Sequence, residues 1–190
     1  WGTRSAAQHR APQLNQTMNR YFAIYHGLHE RAPWGVAVER SAGFPKVELL
    51  MLCRTEKDAV AGMWRIQNGQ LVATSPAISR LEIPYQPPEE YDFCITFARL
   101  TGNESVNQFL FKADRHFLWL MGGWGNQYLG FDNISNQGVD KNPSRVTKVP
   151  ALVNGRVHSS VVQVRNTGLK AFLDGQLICQ WDTDYSDMGC

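Results

Sequence analysis

Arg156-Val-His-Ser-Ser-Val-Val-Gln-Val-Arg165, followed after three residues by Leu169-Lys-Ala-Phe-Leu-Asp-Gly-Gln-Leu-Ile-Cys-Gln-Trp181, is the stretch that decides the fold. Apolar and polar residues alternate through both halves, the period of a strand whose side chains point in turn to a core and to solvent. Asp174-Gly175 divides the second half. That dipeptide tolerates the positive φ values of a two-residue hairpin turn, so the stretch predicts three antiparallel strands in a meander.

Upstream the same signals recur. Asn68-Gly69 separates Met63-Trp-Arg-Ile-Gln67 from Gln70-Leu-Val-Ala-Thr74 and predicts another tight hairpin. Tyr91-Asp-Phe-Cys-Ile-Thr-Phe97 carries aromatic and branched residues at every second position, which describes one buried face. Further strands are expected at 79–84, 106–112, 116–121 and 128–132, with a turn near Ala113-Asp114-Arg115. The apolar run Lys46-Val-Glu-Leu-Leu-Met-Leu-Cys-Arg54 is rich in Leu and Met and predicts a short helix. About ten short strands with no long amphipathic helix describe an all-β protein, a mostly antiparallel sandwich or jelly roll. Residues 1–45 read differently, polar with scattered Pro and Gly, and are expected to be an irregular N-terminal extension or linker before a domain at 46–190.

Composition narrows the function classes. The chain has 190 residues, 43% of them hydrophobic, enough for a sizeable core. Its 19 basic and 17 acidic residues give a formal net charge of +2, and no basic stripe calls for nucleic acid. Val47-Glu-Leu-Leu-Met-Leu-Cys53 falls far short of the roughly 18 apolar residues that cross a bilayer, so no membrane span is expected. Cys53, Cys94, Cys179 and Cys190 are too far apart for a Cys-x-x-Cys metal or redox site; Cys94 and Cys179 lie in apolar runs and are expected to be buried thiols. The chain opens at Trp1 without an apolar targeting segment, which suggests a processed form or a fragment; an extracellular or cell-surface setting is slightly favoured. Asn-x-Ser/Thr triplets begin at Asn15, Asn103 and Asn133 and matter only in a eukaryotic secretory pathway.

The meander ending in Phe172-Leu-Asp-Gly175 resembles the closing hairpin of concanavalin A-like lectin/glucanase jelly rolls. Together with Asp58-Ala-Val-Ala-Gly-Met-Trp64, Leu81-Glu-Ile-Pro-Tyr-Gln-Pro-Pro-Glu-Glu-Tyr-Asp-Phe93, Trp119-Leu-Met-Gly-Gly-Trp-Gly-Asn126, Asn154-Gly-Arg156 and Trp181-Asp-Thr-Asp-Tyr-Ser-Asp-Met188, it is similar to the LamG-like domains of large bacterial multidomain proteins, fold-level relatives of the 3-keto-disaccharide hydrolase family. The resemblance covers roughly residues 46 to 188 and implies a concanavalin A-like jelly roll. Such domains continue into a closing strand beside an early one, whereas Asp187-Met188 is followed by only two residues. Either the chain is a fragment lacking its final strand, or Tyr21-Phe-Ala-Ile-Tyr25 fills the place. An edge left open there would accept a strand from a partner, which makes a structural or assembly protein completed by a partner strand a further alternative.

The candidate residues follow from what sugar recognition and sugar hydrolysis require. Phe117-Leu-Trp-Leu-Met-Gly-Gly-Trp-Gly-Asn-Gln-Tyr-Leu-Gly-Phe131 concentrates aromatic residues and glycine. Phe117, Trp119 and Met121 share one face of its strand, and His116, Leu118 and Leu120 the other; with both rows largely apolar, Trp119 is expected in the core. Trp124, bracketed by glycines and followed by Asn126, Gln127 and Tyr128, is expected at a turn, and these four are the candidate ligand-binding residues. The resulting expectation is a non-catalytic recognition module of a larger assembly, binding carbohydrate or protein. The enzyme alternative, a glycosidase or 3-keto-glycoside hydrolase, needs two carboxylates about 5 to 9.5 Å apart. The Glu-x-Asp-x-x-Glu string of the glucanases is absent, which leaves Asp132 and Asp182 as candidates. No metal site is expected from a specific motif; were calcium bound, Asp132, Asn133, Asp182 and Asp184 are the candidate ligands. His26 and His29 could share a helical face but have no third ligand at a suitable spacing, and His116 and His158 stand singly on strands. Nucleophile elbows, phosphate loops and dinucleotide fingerprints are absent from the sequence.

Overall fold

The structure, a computed structural model, describes residues 46–74 and 78–189 together with the backbone of Phe22–Tyr25. Asn15, His26, His29 and Cys190 lie outside the described residues. Thirteen strands are described: β1 (Phe22–Tyr25), β2 (Ala59–Ala61), β3 (Trp64–Gln67), β4 (Gln70–Ala73), β5 (Arg80–Leu81), β6 (Tyr91–Arg99), β7 (Val106–Lys112), β8 (Arg115–Gly122), β9 (Tyr128–Asp132), β10 (Val146–Thr147), β11 (Val157–Arg165), β12 (Gly168–Leu173) and β13 (Gln176–Asp182). A 3₁₀ helix at Leu49–Leu52 stands where a short helix was expected.

Every pairing is antiparallel, and the protein is an all-β sandwich. One sheet runs β13-β12-β11-β6-β1-β4-β3, a second runs β10-β9-β8-β7, and β2 pairs with β5 beside them. The expected hairpins form. Asn68 and Gly69 have φ of 51° and 71°, and Asp174 and Gly175 52° and 79°. Within the stretch expected to be an extension, Phe22–Tyr25 lies between β6 and β4, with Ala23 opposite Ala98 on one side and Val72 on the other.

The core lies between the two large sheets. Ile95 and Phe97 of β6, Val162 and Val164 of β11 and Leu169, Ala171 and Leu173 of β12 meet Val106 and Leu110 of β7, Phe117, Trp119 and Met121 of β8 and Leu129 and Phe131 of β9. Trp119 is fully buried, its ring 5.2 Å from that of Phe131 between centroids. A polar chain crosses this apolar layer. The Trp119 indole N–H donates to Ser160 Oγ at 3.2 Å, the Ser160 hydroxyl donates to Gln108 Oε1 at 2.6 Å, and Gln108 Nε2 donates to the Phe93 carbonyl at 3.1 Å. Buried polar groups are tolerated when each finds such a partner, and this chain joins the sheets in one register.

One expectation is corrected. Cys94 is exposed, because Tyr91, Phe93, Ile95 and Phe97 take the core side of β6 and turn it outward. Cys53 and Cys179 are buried, and desolvation of the thiolate pushes the Cys179 thiol up to about 11. On the second row of β8, Leu118 and Leu120 are buried as expected, but His116, at the solvent end of the strand, is exposed.

Candidate functional site

β8 ends in a turn that few sequences could make. Gly122, Trp124, Gly125 and Asn126 have φ of 80°, 50°, 70° and 70°, all left-handed. Glycine adopts that region freely, but a bulky side chain there stores strain of order 1–3 kcal/mol and needs surroundings that impose it. Asn126 supplies them. Its Nδ2 donates to the Leu152 carbonyl at 2.7 Å, and its Oδ1 accepts from the Leu152 N–H at 2.9 Å and from Arg99 at 3.3 Å. Arg99, only 3% exposed, also donates to Asn154 Oδ1, the Glu104 carbonyl and the Leu152 carbonyl. Gly123 packs directly on Leu120, where a Cβ would approach to 2.6 Å, so the turn curls over the face of β8 that points away from the core.

The 133–145 loop folds onto the same outer face. Gly130 of β9 leaves room for Val139, which is fully buried; a Cβ on Gly130 would stand 2.5 Å from it. Asn142 Nδ2 donates to the carbonyls of Phe131 and Gln137 at 2.8 and 3.0 Å, and the Ser144 hydroxyl is bonded to Phe131 and Asn142. These contacts fix the loop against β9.

The turn and the loop meet over Gly138. The position a Cβ would take there lies 3.9 Å from the Trp124 ring, 3.5 Å from Asp132 Oδ1 and 2.9 Å from Asp140 Oδ1. An aromatic edge and two carboxylates thus converge on bare backbone. Trp124 is 39% exposed, and its ring centroid is 6.0 Å from that of Tyr128 at an angle of 46°. The Arg145 guanidinium lies 5.5 Å from the Tyr128 centroid and donates to the Asp140 carbonyl, closing the constellation. Asp132 accepts the Val139 N–H at 2.7 Å. Burial raises its pKa and the nearby Asp140 charge raises it further, against the lowering effect of hydrogen bonds from Val139 and Asn133. A half-buried carboxyl whose pKa is raised by burial, next to a second acidic side chain, is an arrangement that acid–base chemistry can use.

The structure unites Trp124 and Tyr128 with Asp132, which the sequence offered for a different role. Gln127 sits on the same turn, exposed, with Nε2 donating to the Trp124 carbonyl at 3.0 Å. The side chain of Asn126 turns inward to Leu152 and Arg99, an anchor of the turn. Asp182 lies at the end of β13 in the other sheet, bonded by Gln180 Nε2, and the carboxylate beside Asp132 is Asp140. Asp184 is fully exposed and accepts from the Ser186 N–H and hydroxyl, which lower its pKa. Asn133 lines a shallow depression with Arg115, Ser135, Asn136 and Asp187. Among the described residues no group of three or more His, Cys, Asp and Glu is placed to hold a metal ion. Gly138, Asp140 and Arg145 were not legible as site residues, because a polar loop has no periodicity; the glycine before a lone aspartate was the one available signal.

No family model matches the chain, and no solved structure matches it. A stretch of 120 residues is 27% identical to part of the extracellular exo-alpha-L-arabinofuranosidase of Streptomyces chartreusis. The match covers 61% of this chain but 14% of that enzyme, so the chain is similar to a small part of a much longer protein.

Proposed function

We propose that the chain is a carbohydrate-recognition module of a larger, extracellular protein, with its ligand site between the 122–127 turn and the 133–145 loop. The observation that carries this reading is the convergence of Trp124, Asp132 and Asp140 over Gly138. Sugars present an apolar ring face that stacks on an exposed indole and hydroxyls that bond to carboxylates, and a backbone without Cβ lets a ring approach closely. The resemblance to concanavalin A-like domains and the partial likeness to a secreted arabinofuranosidase support a sugar ligand. Alignment with a small fraction of that enzyme suits a module better than a whole catalyst.

Isothermal titration and affinity gels with arabinan, arabinoxylan and a wider glycan panel test the reading. Wild type is expected to bind at least one of them, and Trp124→Ala to weaken that binding at least tenfold with the fold intact. Failure of both proteins to bind any glycan overturns it.

A hydrolase is the second reading, favoured by the raised pKa of Asp132 next to Asp140. In it Asp132 is the general acid and Asp140, in place of the Asp182 suggested by sequence, the second carboxylate. Release of nitrophenol from a nitrophenyl α-L-arabinofuranoside by wild type but not by Asp132→Asn would support this reading, and no release by wild type would dispose of it for that substrate.

A further inference from the structure

A second recess lies one residue beyond the aromatic site. Thr147 pairs with Tyr128, and Lys148 then leaves the strand, its N–H donating to the Gln127 carbonyl at 2.8 Å. The cleft it enters holds about 300 Å³ and is lined by Lys148, Val153, Arg156, His158, Asp174 and Gln176 among others.

Its charges are arranged asymmetrically. His158 is 3% exposed, with Nδ1 2.9 Å from Asp174 Oδ2, while its Nε2 accepts the Val153 N–H at 3.2 Å. Nδ1 therefore carries the proton and donates to Asp174, and both ring nitrogens are occupied, so this pair is not a base awaiting substrate. Asp174 also accepts the Ser159 N–H at 3.0 Å and pairs with Arg156 at 3.3 Å. Its carboxylate is thus turned to the protein and holds Arg156 in place. The Arg156 side chain remains half exposed, and Lys148 makes no ion pair among the described residues. Two cations against one carboxylate leave one positive charge uncompensated in the cleft. From Lys141 to Lys170 inclusive there are six Lys and Arg residues and no Asp or Glu, one of them, Arg165, paired with Asp92. Arg145 lies over the Tyr128 ring, while Lys148 and Arg156 line the cleft itself.

We infer that this cleft is a second subsite of the sugar groove and takes a single anionic substituent, the carboxylate of a uronic-acid residue, between Lys148 and Arg156. The inference rests on the carbohydrate reading above. A guanidinium held by Asp174 presents a planar pair of donors that matches a carboxylate, and the adjoining Lys148 supplies a point charge. The resulting preference is for acidic over neutral polysaccharide. Because Lys148 and Arg156 are both solvent-accessible, binding weakens as salt rises.

The test compares titration of wild type, Lys148→Gln/Arg156→Gln and Trp124→Ala with oligogalacturonate, a neutral arabino-oligosaccharide and inorganic phosphate. Wild type is expected to bind oligogalacturonate more tightly than the neutral oligosaccharide. The double variant is expected to lose at least tenfold for the acidic ligand alone. Equal binding of oligogalacturonate by wild type and the double variant overturns the inference, as does a wild type that favours the neutral ligand, and in both cases the sugar reading survives if Trp124→Ala still weakens neutral binding. Acidic binding that requires Lys148 and Arg156 but is unchanged in Trp124→Ala supports the anion cleft and counts against the stacking site. Phosphate competing as well as oligogalacturonate, monomer for monomer, would show a site for free anions and overturn the uronate assignment.

Discussion

Ser160 is the residue on which the two sheets are keyed, since its hydroxyl at once accepts from Trp119 and donates to Gln108. Ser160→Ala leaves an indole N–H and an amide oxygen buried without partners, which costs about 1–3 kcal/mol and is measurable by urea denaturation. In the proposed ligand site Gly138 is the residue to test through binding. Its alanine variant places a methyl 2.9 Å from Asp140 Oδ1 and beside the Trp124 ring, so glycan affinity is expected to fall at least tenfold while the urea midpoint moves little. Two aspartates should respond to pH with opposite sign. For Asp174 burial pushes the pKa up, but the hydrogen bonds from His158 and the Ser159 N–H and the charge of Arg156 outweigh it and hold the folded value below the ordinary carboxylate value. It therefore contributes stability above about pH 4 that is lost as pH falls through the folded value, and the deficit of Asp174→Asn at neutral pH should shrink on acidification. The folded pKa of Asp132 lies above 3.8, so its favourable contribution is complete below that value and is lost as pH rises through the folded one. Asp132→Asn should accordingly gain on wild type as pH rises, read from denaturation curves at pH 3 to 7. None of these roles was visible in the sequence, because each depends on which group from a distant strand lies opposite.

The elements were legible where local chemistry alone sets them. Asn68-Gly69 and Asp174-Gly175 take left-handed conformations that few other residue pairs accept, and strand periodicity continues on either side. The turn at Ala113 and Asp114 adopts φ of 51° and 57° without any glycine, so the strands announced it better than its own residues did. In Gly69→Ala the new methyl meets nothing within 4 Å, and the left-handed backbone alone costs about 1 kcal/mol. That change should leave ligand binding untouched. The turn after β8 behaves differently, because Trp124 is held left-handed by bonds from Asn126 to a segment 26 residues away. Asn126→Ala removes them and leaves the Leu152 N–H and carbonyl with a partner fewer, so a loss of about 2 kcal/mol is expected together with loss of glycan binding. Measuring both in one variant separates an anchor from a contact residue, since Trp124→Ala should affect binding alone.

At the scale of the whole molecule, the seven-stranded sheet includes a strand from the segment that composition sets apart from the domain, within the Tyr21–Tyr25 run that the sequence also offers as filling a place in the sheet. Phe22–Tyr25 pairs with β6 on one side and β4 on the other, so it joins the β3–β4 hairpin to the rest of the sheet. Deletion of residues 1–45 is expected to expose unpaired edges on β6 and β4, remove hydrogen-exchange protection from 64–67 and 70–73, and promote association. Retained protection there would show that the hairpin holds its place without β1. The sequence by itself determined the all-β class, the hairpin turns, most strand positions and the burial of Trp119, since alternation and turn chemistry act over a few residues. Only the tertiary structure decided that Trp124 meets Asp132 and Asp140 over Gly138, that Asn126 faces inward, and that Lys148 and Arg156 share a cleft. These arrangements are set by how two loops fold back onto one sheet face, and the contacts that hold them join residues too far apart in the chain for any local pattern to record.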